Sequence, residues 1–302
     1  MKSLNITWDD GVPDTTGYLF SFAKSLAVAV RSSPYGEIAE DIIATSGFAF
    51  RMWVSADQLC PSGTSIWRLD AQKSWVENGG LLCHYVGRYW GQEEIEEQKR
   101  RAAIAAIRES IDSGIPAISW DIGLPQWGLI TGYDEGKQLL ETLSITGERS
   151  SMAYGLLGKQ EVPMLSVLTI AGRTDKTRDA ILRDTIQLAK SHLKGEEWCE
   201  NAHGLSAYPA LIRFFEDRFD ACLSWNMLYY LGTYCALKYY AYRYFEKYEL
   251  GELTSLYKSV YENWQTAFNA MKWRNDSKEK IASALKAAQA REIQALARME
   301  EM

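Results

Sequence analysis

What most constrains this chain is a change of hydrophobic rhythm near Gly172. From Asp175 onward, apolar residues recur at spacings of three and four. That predicts helices over Asp175–Lys194, Gly204–Phe219, Ala221–Tyr248, Glu252–Lys272 and Asp276–Met302. Ahead of Gly172 the apolar residues come in short runs bounded by Gly and Pro, the pattern of strands and turns. Strands gathered at one end and helices at the other predict an α+β fold, a small, mainly antiparallel sheet followed by an all-α helical bundle. The expected division is an α+β domain over 1–173 and a helical domain over 174–302 packed on it.

The N-terminal half is read in order. Leu19, Phe22, Leu26, Ala29 and Val30 form one apolar stripe, predicting a helix over Tyr18–Arg31. A short helix is expected over Glu37–Ala44. Alternation of Phe48, Phe50 and Met52 predicts a strand over Gly47–Val54. Leu81–Trp90 reads equally as helix or strand. Glu93–Ser113 is a helix with acids at its start and bases one turn on, and Gly114 suits a left-handed cap. Strands follow at Pro116–Trp120, Trp127–Tyr133, Gln138–Ile145 and Val162–Ala171, the last buried on both faces. The final helix carries a capping box, Asp276 with Glu279.

Several function classes are excluded by totals. With 33 basic against 39 acidic residues the net charge is −6, which disfavours a phosphate backbone as partner. Met1–Asp10 contains no apolar stretch long enough for a secretory signal, so none is expected. The longest uncharged stretch, Ala221–Leu237, contains Ser224, Asn226 and Thr233 and is short for a membrane span. No membrane association is expected. The five cysteines form no C-x-x-C pair, and the three histidines form no H-x-x-x-H pattern. Neither a metal site nor a cofactor is expected, and reduced thiols suit a cytoplasmic protein. Seven tyrosines between Tyr229 and Tyr244 predict a broad aromatic packing face, either inside the chain or across a homodimer.

Four segments carry a resemblance: the helix after Thr15-Thr16, Gly47-Phe48-Ala49-Phe50-Arg51, Cys60-Pro61-Ser62, and the strand from Trp127 to Gly132-Tyr133-Asp134. Together they span about residues 14–170, and in their order they resemble the N-terminal domain of the butirosin-biosynthesis acyltransferase family, a papain-like group. The resemblance implies a papain-like fold with a nucleophilic cysteine at the start of the first long helix. It also implies a histidine six residues before the glycine of Gly-Tyr-Asp. Here the helix start matches Thr16-Gly17-Tyr18, without a cysteine, and the histidine position holds Gln126. An Asp or Asn to orient the base is also missing from Gln138–Ile145.

Other residues are weighed as replacements. Cys60 precedes a turn-rich loop where a thiol would be exposed. Asp121 follows a strand near the expected cleft. His203 sits in a polar–aromatic junction, Trp198–Gly204, that suits a lid. Cys83-His84 are sequence neighbours with no requirement that their side chains meet. A retained ligand cleft would draw on Gln126, Trp127, Arg51, Trp53 and Ser62, with Arg51 and Trp53 suited to an anionic or planar group. Three readings follow. One is a catalytically degenerate papain-like protein that binds a small molecule or an acyl or peptide group, or regulates. Another is cysteine-dependent acyl transfer or amide hydrolysis through Cys60. The last is a structural homodimer.

Overall fold

The computed structural model describes residues 1–65, 67–219, 224–273 and 278–302. The fold is α+β, an antiparallel sheet in the N-terminal half followed by a helical region. The strands are β1 (Lys2–Ser3), β2 (Trp53–Val54), β3 (Leu81–Arg88), β4 (Ala117–Trp120), β5 (Trp127–Asp134), β6 (Leu139–Leu143), β7 (Arg149–Ala153), β8 (Leu165–Arg173) and β9 (Ala202–His203). The helices are α1 (Ser21–Arg31), α2 (Ile42–Thr45), α3 (Ala71–Asn78), α4 (Glu96–Asp112), α5 (Arg178–Lys194), α6 (Ala207–Arg218), α7 (Ser224–Lys247), α8 (Gly251–Trp273) and α9 (Lys278–Glu300). Among the described residues no helix is long and apolar enough to cross a membrane.

The chain forms two compact units. One comprises Met1–Pro13, Phe20–Ile42 and Arg68–Ile181; the other comprises Asp14–Leu19, Ile43–Trp67 and Leu182–Met302.

In the first unit the strand order is β3-β8-β4-β5-β6-β7, with β1 also on β5, and the pairings are antiparallel. Successive side chains on a strand point to opposite faces, and two helices use this. Phe22 of α1 meets Trp127 edge-on at 4.8 Å, and Trp127 meets Trp120, its partner across the ladder, at 5.5 Å. Residues of the other parity, Ala117, Ile130 and Val167, share a buried cluster with Ala103, Ile107 and Ile111 of α4. Each fully buried isoleucine there contributes roughly 1.5–3 kcal/mol.

The ends of α4 follow from its sequence. Glu96 pairs with Arg100 at 2.7 Å and Glu97 with Arg101 at 2.8 Å, both one turn apart. Lys159 and Arg100 together hold the Glu96 carboxyl down to about 2. At the other end Gly114, at φ +82°, donates its N–H to Ile111 O, and the Ser110 hydroxyl donates to Ile115 O. The helix therefore stops and turns directly into β4.

Leu81–Trp90, open in sequence, is strand over Leu81–Arg88 and pairs with β8 along its length. β8 is buried from Leu165 to Ile170.

The second unit holds the β2–β9 ribbon and the antiparallel helices α7, α8 and α9, with α6 against α9. The tyrosines of α7 pack within this unit. Tyr230, Tyr234, Tyr240 and Tyr244 are buried, Tyr234 meets Trp264 at 5.5 Å, and Tyr239 meets Tyr261 at 5.4 Å. Lys238 and Glu292 form an ion pair at 2.6 Å with side chains 0% and 1% exposed. The Tyr208 hydroxyl donates to the same carboxylate and accepts from Trp264 Nε1.

Two expectations are corrected. Gly47–Val54 is not one strand: only Trp53–Val54 is extended, and Phe50 and Arg51 both donate their N–H groups to Gly47 O in a turn. The alternation misleads because Phe48, Ala49 and Phe50 are all buried, so no face is solvent-facing. Gly47 sits at φ +76°, where a Cβ would lie 2.5 Å from His192 Nε2. Glu37–Ala44 is not one helix but a 3-10 turn, Gly36–Ile38, followed by α2. The proposed capping residue Asp276 lies outside the described residues.

Candidate functional site

The resemblance directs attention to the start of the first long helix. That helix begins at Ser21, with Phe20 as a cap that offers no side-chain hydrogen bond. The helix thus starts beyond the Thr16-Gly17-Tyr18 neighbourhood, whose backbone is tied up by Asp14. Its Oδ1 accepts from the N–H of Gly17 at 2.8 Å. Ser21 is buried, and its Oγ accepts the N–H of Trp127 at 3.4 Å. The helix start and the start of β5 are thus neighbours, as a thiol–imidazole pair would require. A hydroxyl stands on one side. On the other is Gln126, half-buried, whose carbonyl accepts from Ile122 N–H at 3.2 Å.

Trp127 belongs to the core, 1% exposed between Phe22 and Trp120. The Gly132-Tyr133-Asp134 run has a local explanation for each residue. A Cβ on Gly132 would lie 2.7 Å from Lys2 O, because β1 pairs there. The Tyr133 hydroxyl donates to Asp112 Oδ1 at 2.8 Å, and Asp134 Oδ1 accepts from Lys137 N–H.

Asp121 ends β4 in the left-handed region, φ 59°, a conformation that Asp tolerates better than most residues. It is buried, and its Oδ2 accepts the N–H of Val162 at 2.8 Å. Burial pushes its carboxyl above the ordinary range, against the opposing effect of that hydrogen bond. Its shown bond joins the β4–β5 turn to the segment before β8. That is a positioning role.

The remaining candidates lie in the second unit. Cys60 is exposed, with Sγ 3.0 Å from the Ser62 hydroxyl, at the head of the turn Pro61–Thr64. Arg51 is buried, its guanidinium 3.4 Å from the Phe48 ring centroid and 5.0 Å from that of Trp53. Trp53 is also buried, and its Nε1 donates to Glu197 Oε1 at 3.2 Å. His203 pairs with Trp53 in the β2–β9 ribbon. Its Nδ1 faces Asn201 O at 2.7 Å and its Nε2 faces Gly195 O at 3.1 Å, so both ring nitrogens are engaged by backbone carbonyls.

Within the second unit Arg51 and Trp53 come together at Glu197, His203 is paired with Trp53 across the ribbon, and Cys60 lies beside Ser62, while Gln126 and Trp127 belong to the first unit. Two members of this cluster, Glu197 and His192, belong to no motif in the sequence. The His192 Nδ1 lies 3.2 Å from Glu197 Oε1. Burial pushes His192 down to about 4; Glu197 opposes the shift and the Arg51 charge adds to it. Gly47 is the available signal, since a glycine in a buried aromatic run marks a close approach.

The thiols with resolved shifts are poor nucleophiles. Burial pushes Cys83 and Cys235 up to about 12 and Cys199 to about 11. No three His, Cys, Asp or Glu side chains among the described residues are grouped to hold a metal ion. A scan against protein-family models and a search of curated proteins both find no match to this chain.

Proposed function

We propose that this chain is a papain-like protein without a catalytic dyad, and that it acts by binding a small molecule or an acyl or peptide group, or as a regulatory protein. The observation that carries the reading is the hydrogen bond between Trp127 N–H and Ser21 Oγ. It supports a helix-start–strand-start junction of papain-like kind, occupied by serine and, one residue before Trp127, by glutamine. Glutamine neither takes nor gives a proton near neutral pH, and a serine hydroxyl without an adjacent base is a weak nucleophile. Cys83, Cys199 and Cys235 stay protonated at neutral pH and do not replace the missing thiolate. The free thiols Cys60, Cys83, Cys199 and Cys235 suit the reducing cytoplasm.

The exposure of Cys60 favours a second reading, acyl transfer or amide hydrolysis through that thiol. Iodoacetamide labelling at neutral pH, followed by mass spectrometry, separates the two. The binding reading expects Cys60 to label no faster than a free cysteine and the protein to leave a thioester substrate intact. Rapid labelling, together with thioester turnover that disappears in Cys60→Ala, transfers the assignment to the enzyme.

A further inference from the structure

In the first unit, where α4 ends over β3 and β8, lies a groove of about 310 Å³, near the lower end of small-molecule sites. His84 of β3 stands directly across the ladder from Thr169 of β8, and both line it. Glu109 and Ser113 enter from the last turn of α4, and Tyr35 from the turn after α1. Ile115 and Ala171 supply apolar surface. The groove shares no residue with Ser21, Asp121, Gln126 or Trp127.

The charge balance of this lining is one-sided. Glu109 is its only Asp, Glu, Lys or Arg residue. Its carboxylate is exposed and enters no ion pair among the described residues. The same turn is the C-terminal end of a 17-residue helix, where the backbone dipoles sum to a partial negative charge that favours cations. An anion placed there meets repulsion from both, with no lysine or arginine in the lining to offset it. Tyr35 adds an aromatic ring, which attracts ammonium groups through its face. The hydroxyl of Thr169 and the imidazole of His84 are hydrogen-bonding groups for the rest of a polar head.

We propose that this groove binds a small organic ammonium compound, its charged nitrogen against Glu109 and its carbon skeleton over Ile115 and Ala171. The proposal goes beyond the reading of the Ser21–Gln126 junction and stands whether or not that junction is catalytic.

The test uses the full chain, labelled with 15N, titrated with 2-phenylethylamine and with two probes of matched size, phenylacetate and 2-phenylethanol. Saturable amide shifts centred on His84, Glu109 and Thr169 are expected with the amine, at least tenfold weaker with the other two. Glu109→Gln, an exposed substitution, is expected to weaken amine binding at least tenfold while leaving distant amide signals in place. Absence of a saturable shift in the groove up to millimolar amine overturns the proposal. So does binding of phenylacetate as tight as that of the amine, or amine affinity unchanged in Glu109→Gln.

Discussion

The amide of Trp127 donates to the hydroxyl of Ser21 at 3.4 Å, which pairs the first residue of α1 with the first residue of β5. If this junction descends from a thiol–imidazole pair, restoring the pair restores thiolate chemistry. Ser21→Cys combined with Gln126→His is expected to react with iodoacetamide at pH 7 about tenfold faster than Ser21→Cys alone, because a neighbouring imidazole and a helix start both favour the thiolate. Equal rates mean that the two side chains do not face one another.

Lys238 and Glu292 are both buried in the helical unit. Lys238→Met leaves the Glu292 carboxylate without its cation and is expected to cost about 3–5 kcal/mol in urea unfolding. Lys238→Met combined with Glu292→Leu should recover much of that loss, since no buried charge then remains. A double variant as unstable as the single one would show that packing, and not charge, dominates the site.

His192 sets a pH dependence. It is neutral in the folded protein and pushed down to about 4, against an ordinary value of 6.5. Between these values the unfolded chain binds the extra proton, so stability is full above 6.5 and falls as the pH drops towards 4. The loss is on the order of 3 kcal/mol. Unfolding midpoints measured from pH 7 to pH 4 should show it, and His192→Gln should flatten the slope.

Asp121 acts in the opposite sense. Its carboxyl is pushed up by burial, so the folded state keeps a proton that the unfolded state has already lost, and stability is lost as the pH rises through that window. Asp121→Asn keeps an acceptor for Val162 N–H and tolerates the left-handed backbone. It is expected to raise stability at neutral pH and to remove this dependence, as read by urea titrations at pH 4 and pH 7.

The parts of the fold legible in sequence are those where one period runs unbroken. The helices after Asp175 keep an apolar spacing of three and four over many turns, with α7 buried on all sides from Tyr229 to Lys238, and the apolar run in β8 is buried because its sheet neighbours and α4 cover it. β7 is not legible, since Met152 is the only buried residue of its five and an edge strand shows little alternation. Gly47–Phe50 misleads because burial on every side makes a turn look like a strand. The hydrogen bond of Trp127 to Ser21 leaves no signal in the sequence, since the two residues lie 106 positions apart and meet only once α1 packs on β5. The groove at Glu109 leaves no sequence signal, as His84, Glu109, Thr169 and Tyr35 meet only once β3, β8 and α4 have assembled.

The two compact units exchange the chain after residues 13, 19, 42, 67 and 181. A truncated chain beginning at residue 174 would lack Asp14–Leu19 and Ile43–Trp67, and with them Arg51, Trp53 and the Gly47 turn that meets His192. The helical bundle is therefore not a transferable module. A ribosome must finish its last helices before residues made near the beginning can find their places, so folding waits on long-range closure. Gene fusion or shuffling at the compositional border would sever both units at once.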